Sequence, residues 1–353
     1  MQKTKEKTLN LCHILESAIN SLSDGILILD AEGHLLLGNP ALKEMFSLKE
    51  LCEGKHYKEF VKHRKVLEVL QKHFEKKEEV SGELELSKGE QTVYYTFRAV
   101  PLIQKGRHSA SLIIFKDVTK IRQLENVRKE FVANVSHELK TPLTAIKGYV
   151  ETLLDGDLED PELTRKFLEI IKNQTNRFIL LVEDLLTLSR IEFKDIKVVK
   201  RWFSIEKVID DTFDVIKDKA EQKGLYLKKE IKASPEIYSD PDRLAQILLN
   251  LVDNAVKFTK TGGVTVKFYQ EDGELVLEVK DTGIGIPEKF IPKIGQRFFR
   301  VDPSRSRKRG GTGLGMAIVK HLVKLLNYRM EIKSKVGKGT SVKIYLPLSC
   351  AEG

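Results

Sequence analysis

A chain of 353 residues is long enough for two or three domains, each with a core of its own. Its 60 basic and 51 acidic residues leave a net charge of +9 on a surface rich in both Lys and Glu, which argues for plain solubility and against a basic nucleic-acid-binding stripe. Cys12, Cys52 and Cys350 are odd in number and far apart. They offer neither a metal spacing nor a disulfide framework and predict a reducing, cytoplasmic setting. No apolar run approaches the ~20 residues that span a bilayer, and Met1-Gln-Lys-Thr-Lys5 opens no signal-peptide core, so no membrane segment is expected in this chain.

Leu11, Ile14, Leu15 and Ile19 recur at helical spacing. Gly25–Asp30 reads as a buried strand, Ala31–His34 as a turn and Leu35–Leu37 as a second strand. Asn39 and Pro40 supply the N-cap and first position of a short helix to Phe46. Glu83–Leu86, Val93–Phe97 and Ser111–Phe115 alternate or run apolar as sheet strands do. Residues 1–118 are therefore expected to hold a small α+β domain, with His13, His34, His56, His63 and His73 as surface histidines.

A long helix is predicted from Ile121 to about Leu154. With Phe131 at zero and 100° per residue, Leu124, Val135, Ile121, Leu139 and Ile146 fall within about 80° of one another, while His137 falls at roughly 240°. The helix should bury that stripe and hold an imidazole in solvent, with Thr141 one turn further on the same face. Pro142 lacks an N–H and predicts a kink. A zinc-protease pair is excluded because the second histidine it needs at i+4 is Thr141. After a turn over Asp155–Asp160, a second helix starts at Pro161. In it Phe167, Ile171, Gln174, Phe178, Leu181, Leu185 and Leu188 follow 4-3 heptad spacing. Two helices with one stripe each cannot close a core, so a homodimeric four-helix bundle is expected.

Lys194–Phe203 reads as a charged linker, residues 204–223 as a helix and Leu225–Ile231 as a strand. Asp240 caps, and Pro241 starts, a helix that sets Asn250, Asn254 and Lys257 on one face, a row suited to a metal and phosphate oxygens. Val264–Phe268 and Leu275–Val279 form a hairpin. It leads to Asp281-Thr-Gly-Ile-Gly285, where a carboxylate can accept from an exocyclic amine and glycines let a flat ring approach. Pro303–Arg309 is expected to be a mobile lid. Gly310–Gly315 then opens a helix whose backbone N–H groups suit phosphate. No Gly-Lys-Ser/Thr follows, so this is not a Walker A loop. Without His-Arg-Asp or Asp-Phe-Gly, a eukaryotic protein-kinase fold is not expected.

The N-terminal order, carried by Ser23–Asp30, Asn39-Pro-Ala41 and Phe115-Lys-Asp-Val-Thr119, resembles a PAS sensor domain. Ser136-His-Glu-Leu-Lys-Thr-Pro142, Asn250…Asn254-Ala-Val-Lys257, Asp281-Thr-Gly-Ile-Gly285 and Gly311-Thr-Gly-Leu-Gly315, in this order, resemble the bacterial sensor histidine kinases of two-component systems, close to the phosphate-regulon sensor type. The resemblance implies a multidomain α+β chain. Residues 1–118 would be a PAS-like sensor, 119–193 a dimerising phospho-acceptor hairpin forming a four-helix bundle, and 200–350 an α/β sandwich ATP-binding domain of the GHKL (Bergerat) type. It implies His137 as phospho-acceptor, Glu138 as its base, and Thr141 as part of a phosphatase motif acting on the phospho-regulator. Asn254 would hold Mg²⁺ with support from Asn250, Lys257 would meet phosphate, Phe258 would line the adenine site and Asp281 would read its amine. Gly283, Gly285, Gly311, Thr312, Gly313, Leu314, Gly315 and Thr340 would frame ATP, and Arg300 would steady the γ-phosphate. The implied partners are a second copy of the chain and a response-regulator receiver domain. Gly295-Gln-Arg297 departs from the pattern, which usually has an acidic residue there. The competing readings are a nucleotide-binding scaffold without phosphotransfer and a GHKL-type ATPase; the latter lacks the histidine helix.

Overall fold

The structure, a computed structural model, describes residues 2–48, 53–89, 91–156, 160–192, 197–234, 236–302 and 311–347. The chain divides into two compact units, Met1–Glu130 and Phe131–Gly353. The expected lid over Pro303–Arg309, Gly310, part of the Asp155–Asp160 turn, Cys52 and Cys350 lie outside the described residues.

The first unit holds α1 (Gln2–Ser21) and five antiparallel strands: β1 (Gly25–Asp30), β2 (Leu35–Gly38), β3 (Val80–Lys88), β4 (Gln91–Gln104) and β5 (Arg107–Asp117). Their order is β2-β1-β5-β4-β3. One sheet face presents Leu27, Leu29, Phe97, Ile113 and Phe115 to α2 (Pro40–Phe46) and α4 (Arg64–Lys76), which contribute Leu42, Val66 and Leu70. Asn39 caps α2 as expected and does more. Its Oδ1 accepts from Leu42 N and Ile26 N, and its Nδ2 donates to Ile19 O and Asp24 O, so the fully buried amide is satisfied on every side. The sequence reading assigned no element between Phe46 and Glu83. The structure places α3 (Tyr57–Phe60) and α4 there, α4 burying Val66 and Leu70 at i,i+4. His73 corrects the reading of surface histidines. It is fully buried, with its ring nitrogens against Glu78 O (2.6 Å) and Ser111 Oγ (2.8 Å), and burial holds it below the usual imidazole range.

Helix α5 (Thr119–Asp155) runs unbroken through Pro142, and Asp160 caps α6 (Pro161–Glu192) through Glu162 N and Leu163 N. The C-terminal part that follows contains β6 (Arg201–Ser204), α7 (Ile205–Glu221), β7 (Tyr226–Ile231), β8 (Glu236–Ser239), α8 (Pro241–Phe258), β9 (Gly263–Glu271), β10 (Glu274–Asp281), α9 (Gly315–Leu325), β11 (Arg329–Lys335) and β12 (Gly339–Pro347). Five strands form a sheet ordered β11-β12-β10-β9-β7. The β7–β9 pair is parallel because the chain crosses back through α8, whereas β9 and β10 close tightly on Asp272 and Gly273, both at positive φ. The sheet buries Val264, Val266, Phe268, Leu275 and Leu277 against the apolar faces of α7, α8 and α9.

Two expectations change here. The linker read over Lys194–Phe203 is partly strand, since β6 pairs with β8, Trp202 opposite Tyr238 and Phe203 opposite Ile237. Ile121 and Leu124 of the apolar stripe are 53% and 63% exposed in the single chain, surface that the expected bundle partner would cover. Leu181 and Leu188, placed on the hairpin seam, belong with Ile191 to the buried cluster that contains Ile318, Val319 and Leu322 of α9. The C-terminal half of that seam thus packs with α9, and Leu139 of α5 and Leu185 of α6 pack against the same cluster.

Candidate active site

The site forms where α5 and α6 meet α8, α9 and the loops after β10. His137 stands exposed on α5, and one turn on Thr141 Oγ1 donates to the His137 carbonyl at 3.0 Å. Glu138, on the adjacent face, turns inward. Its Oε2 meets Arg177 Nη2 of α6 at 3.2 Å and Arg300 Nη2 at 3.0 Å, and the three side chains are only 14%, 14% and 7% exposed. Arg300 Nη2 also donates to the carbonyl of Thr312 at 2.8 Å.

On α8, Asp240 accepts from Asp242 N and Arg243 N, which fixes the helix start. Leu244, Ile247, Leu248, Leu251, Val252 and Ala255 are buried on one side, and this burial leaves Asn250, Asn254, Lys257 and Phe258 half-buried on the other. Asn250 Nδ2 donates to Gln246 O at 2.8 Å, which turns its Oδ1 toward the start of α9. Gly315 must be glycine there: a Cβ would stand 2.7 Å from that oxygen. Lys257 pairs with Asp253 at 3.5 Å, and Asp253 also takes Lys219 at 2.8 Å. Burial raises the Asp253 carboxyl, but the two ammonium groups outweigh it and hold it below the usual carboxylate range.

Asp281 ends β10 with 9% exposure. Its Oδ1 accepts from Gly283 N at 2.7 Å and Thr340 N at 3.2 Å. Burial pushes this carboxyl up despite the two N–H donors. Gly283 lies against the Phe258 carbonyl, where a Cβ would stand at 2.6 Å. Ile284 N donates to that same carbonyl, so the Asp281 loop and the end of α8 form one wall. Gly285 follows, with its backbone against Lys335. In the Gly311–Gly315 loop, Gly313 O accepts from Phe298 N, Leu314 is fully buried, and Leu314 N donates to Thr312 Oγ1. The residues singled out in the sequence for nucleotide therefore all lie in the second unit, on α8, the Asp281 loop, the Gly311–Gly315 loop or the Thr340 turn, with Arg300 on the segment between the Asp281 loop and Gly311.

Three participants were not found in the sequence. Asp184 of α6 accepts from Thr312 Oγ1 at 2.6 Å, and burial raises its carboxyl, with Lys257 close enough to oppose that rise. Arg177 reaches Glu138. Arg297 lies over the Phe131 ring at 4.8 Å, beside the Phe131–Phe298 ring contact. The missed signal was positional: Arg177 and Asp184 are seven residues apart and each precedes a seam residue, Phe178 and Leu185, so both flank the apolar seam on one side. Among the described residues no cluster of three or more His, Cys, Asp or Glu could hold a metal, and no helix is long and apolar enough to cross a membrane.

Three family models match the chain. Residues 19–123 match the PAS fold, 127–194 the His Kinase A (phospho-acceptor) domain, and 239–349 the histidine kinase-, DNA gyrase B-, and HSP90-like ATPases. The chain is 33% identical to the sensor histidine kinase WalK of Bacillus subtilis over 94% of its own length, and spans 55%, about half, of that protein. Of solved structures, the histidine kinase ThkA in complex with the response regulator protein TrrA shares the fold, with a TM-score of 0.52 at 23% identity covering 96% of this chain and 99% of that one. The Acinetobacter baumannii histidine kinase AdeS does so with a TM-score of 0.50 at 24% identity, covering 60% of this chain and 97% of that one. A Staphylococcus aureus sensor protein kinase WalK is 34% identical over 96% of this chain, and the chain covers 81% of it, so the chain belongs to the sensor histidine kinases.

Proposed function

We propose that the chain carries ATP-dependent autophosphorylation of His137, followed by transfer of the phosphoryl group to an aspartate of a response-regulator receiver domain. The observation that carries this reading is the Glu138–Arg300 contact. The residue beside the exposed imidazole touches a residue that also holds the Gly311–Gly315 loop. ATP would lie along α8, with its adenine amine at Asp281, its ring beside Phe258, and its phosphates at Lys257, Thr312 and the α9 start. Mg²⁺ bound through nucleotide phosphates needs few protein ligands, so the half-buried Asn254 amide, backed by Asn250, fits it and would offset phosphoryl charge. An imidazole is nucleophilic only when neutral, and a carboxylate holding one ring N–H frees the other nitrogen. Label transferred from γ-labelled ATP that is acid-labile and alkali-stable supports the N–P bond. Nucleotide binding without label points to a scaffold, and phosphate release without label to an ATPase.

The working unit in this reading is a homodimer. Leu143, Leu154, Leu168, Ile179, Leu180 and Leu186 are 48–78% exposed along α5 and α6, more apolar surface than a lone hairpin leaves to water. Residues 121–192 alone should give a helical dimer by light scattering; a helical monomer would count against the bundle.

A phosphatase role for Thr141 deepens this reading. Its hydroxyl hydrogen is spent on the His137 carbonyl, so it can orient a water only as an acceptor. Thr141→Ala is expected to keep autophosphorylation within about twofold while lengthening the lifetime of the phospho-regulator about tenfold. Both activities falling together with helical content would reduce Thr141 to a structural role.

A further inference from the structure

We propose that Arg177 is a positioning residue for phosphoryl transfer, holding Oε2 of Glu138 so that Oε1 is presented to His137. The inference rests on the reading of Glu138 as the base for that imidazole. In the step, one ring nitrogen of the neutral imidazole forms a bond to the γ-phosphorus while that phosphorus breaks its bond to the β–γ bridging oxygen and ADP leaves. The proton on the other ring nitrogen passes to Glu138 Oε1.

Glu138 has three rotatable bonds on an exposed helix, and nothing in α5 fixes its carboxylate. Two guanidinium groups do, and both meet Oε2. They come from different parts of the molecule. Arg300 follows the Asp281 loop and also holds Thr312 O, and in the reading above it steadies the γ-phosphate, a stronger partner that would draw it from Glu138. Arg177 belongs to the hairpin that carries His137. Once Arg300 turns to phosphate, Arg177 is the remaining counter-charge for a carboxylate that is only 14% exposed, and an unpaired charge at that burial is costly. The planar guanidinium also fixes direction, which a lysine ammonium does not. The hairpin does not depend on this pair for contact, because Tyr149 of α5 and Phe167 of α6 bring their rings to 5.2 Å further along.

The test uses the full chain and initial rates of labelling across ATP concentration. Arg177→Met is expected to lower kcat by about 10- to 100-fold with the KM for ATP within about twofold, and Arg177→Lys to recover part of the loss. A structural role predicts that the same factor is lost again in a Glu138→Gln background. Positioning predicts that Arg177→Met adds nothing there, because the group it aims is gone. Parental kcat in Arg177→Met, or additive loss in the double variant, overturns the inference while leaving the base assignment intact. Parental kcat in Glu138→Gln overturns the base assignment, and the inference with it.

Discussion

Replacing His137 by glutamine is expected to abolish labelling from γ-labelled ATP while ATP affinity and oligomeric mass stay at parental values. The side chain is exposed on α5, and no hydrogen bond within the described residues depends on its ring. Glutamine is a good helix former, so the change should cost no more than about 0.5 kcal/mol of stability. What is lost is the imidazole nucleophile itself; a glutamine amide nitrogen has its lone pair delocalised into the carbonyl and does not attack phosphorus. The effect is therefore all or nothing, unlike the partial losses expected from residues that orient or neutralise. The residues read as meeting ATP lie on α8, the start of α9 and the loops after β10, so calorimetry with ATP should not distinguish variant from parent. Acid-labile label in the variant would move the acceptor to another histidine. His321, whose Nδ1 is engaged with Ala317 O on α9, is the nearest alternative in the nucleotide-binding part.

The parts of this site that were legible in the sequence are those built from local signals. The start of α8 is written in Asp240-Pro241, and its two faces follow from apolar spacing, so Asn250, Asn254 and Lys257 emerge as one row. The β9–β10 hairpin follows from Asp272-Gly273, and Asp281 from its place at a strand end before glycines. Elements that depend on distant partners were not legible. Arg201–Ser204 holds two aromatic residues next to charge and reads as linker until Glu236–Ser239 pairs with it. Arg177 and Asp184 read as solvated flanks of a heptad seam, because their partners Glu138 and Thr312 lie 39 and 128 residues away in the chain. Leu181 and Leu188 have the spacing of a bundle seam yet pack against α9: periodicity says which face is buried, not against what. Helix α4 is different, since Val66, Leu70 and the partly buried Leu67 and Phe74 carry a local helical pattern that needs no distant partner to be read.

Asp281→Asn is expected to weaken ATP binding by about 3 kcal/mol, roughly 100-fold in Kd, with the fold intact. The hydrogen bonds settle which way the amide turns. Oδ1 of Asp281 accepts from Gly283 N and Thr340 N, so an asparagine must put its carbonyl oxygen there and its NH₂ where Oδ2 stands. The group that faces an adenine amine then changes from an acceptor to a donor, and two donors meet. Flipping the amide to rescue adenine would instead turn NH₂ on two backbone donors in a residue 9% exposed. Stability should move the other way with pH. Burial raises the Asp281 carboxyl above its unfolded value, so its contribution to stability is present below the unfolded value and is lost as pH rises through the folded one. Asparagine does not titrate, so the variant should gain stability relative to the parent as pH climbs through the carboxylate range, in urea melts at a series of pH values. The two readouts therefore separate recognition from folding: affinity falls while relative stability at neutral pH holds or improves. Equal ATP affinity in variant and parent would remove Asp281 from the adenine site, and a fall in affinity matched by an equal fall in stability would reduce it to a support for the Gly283 and Thr340 turns.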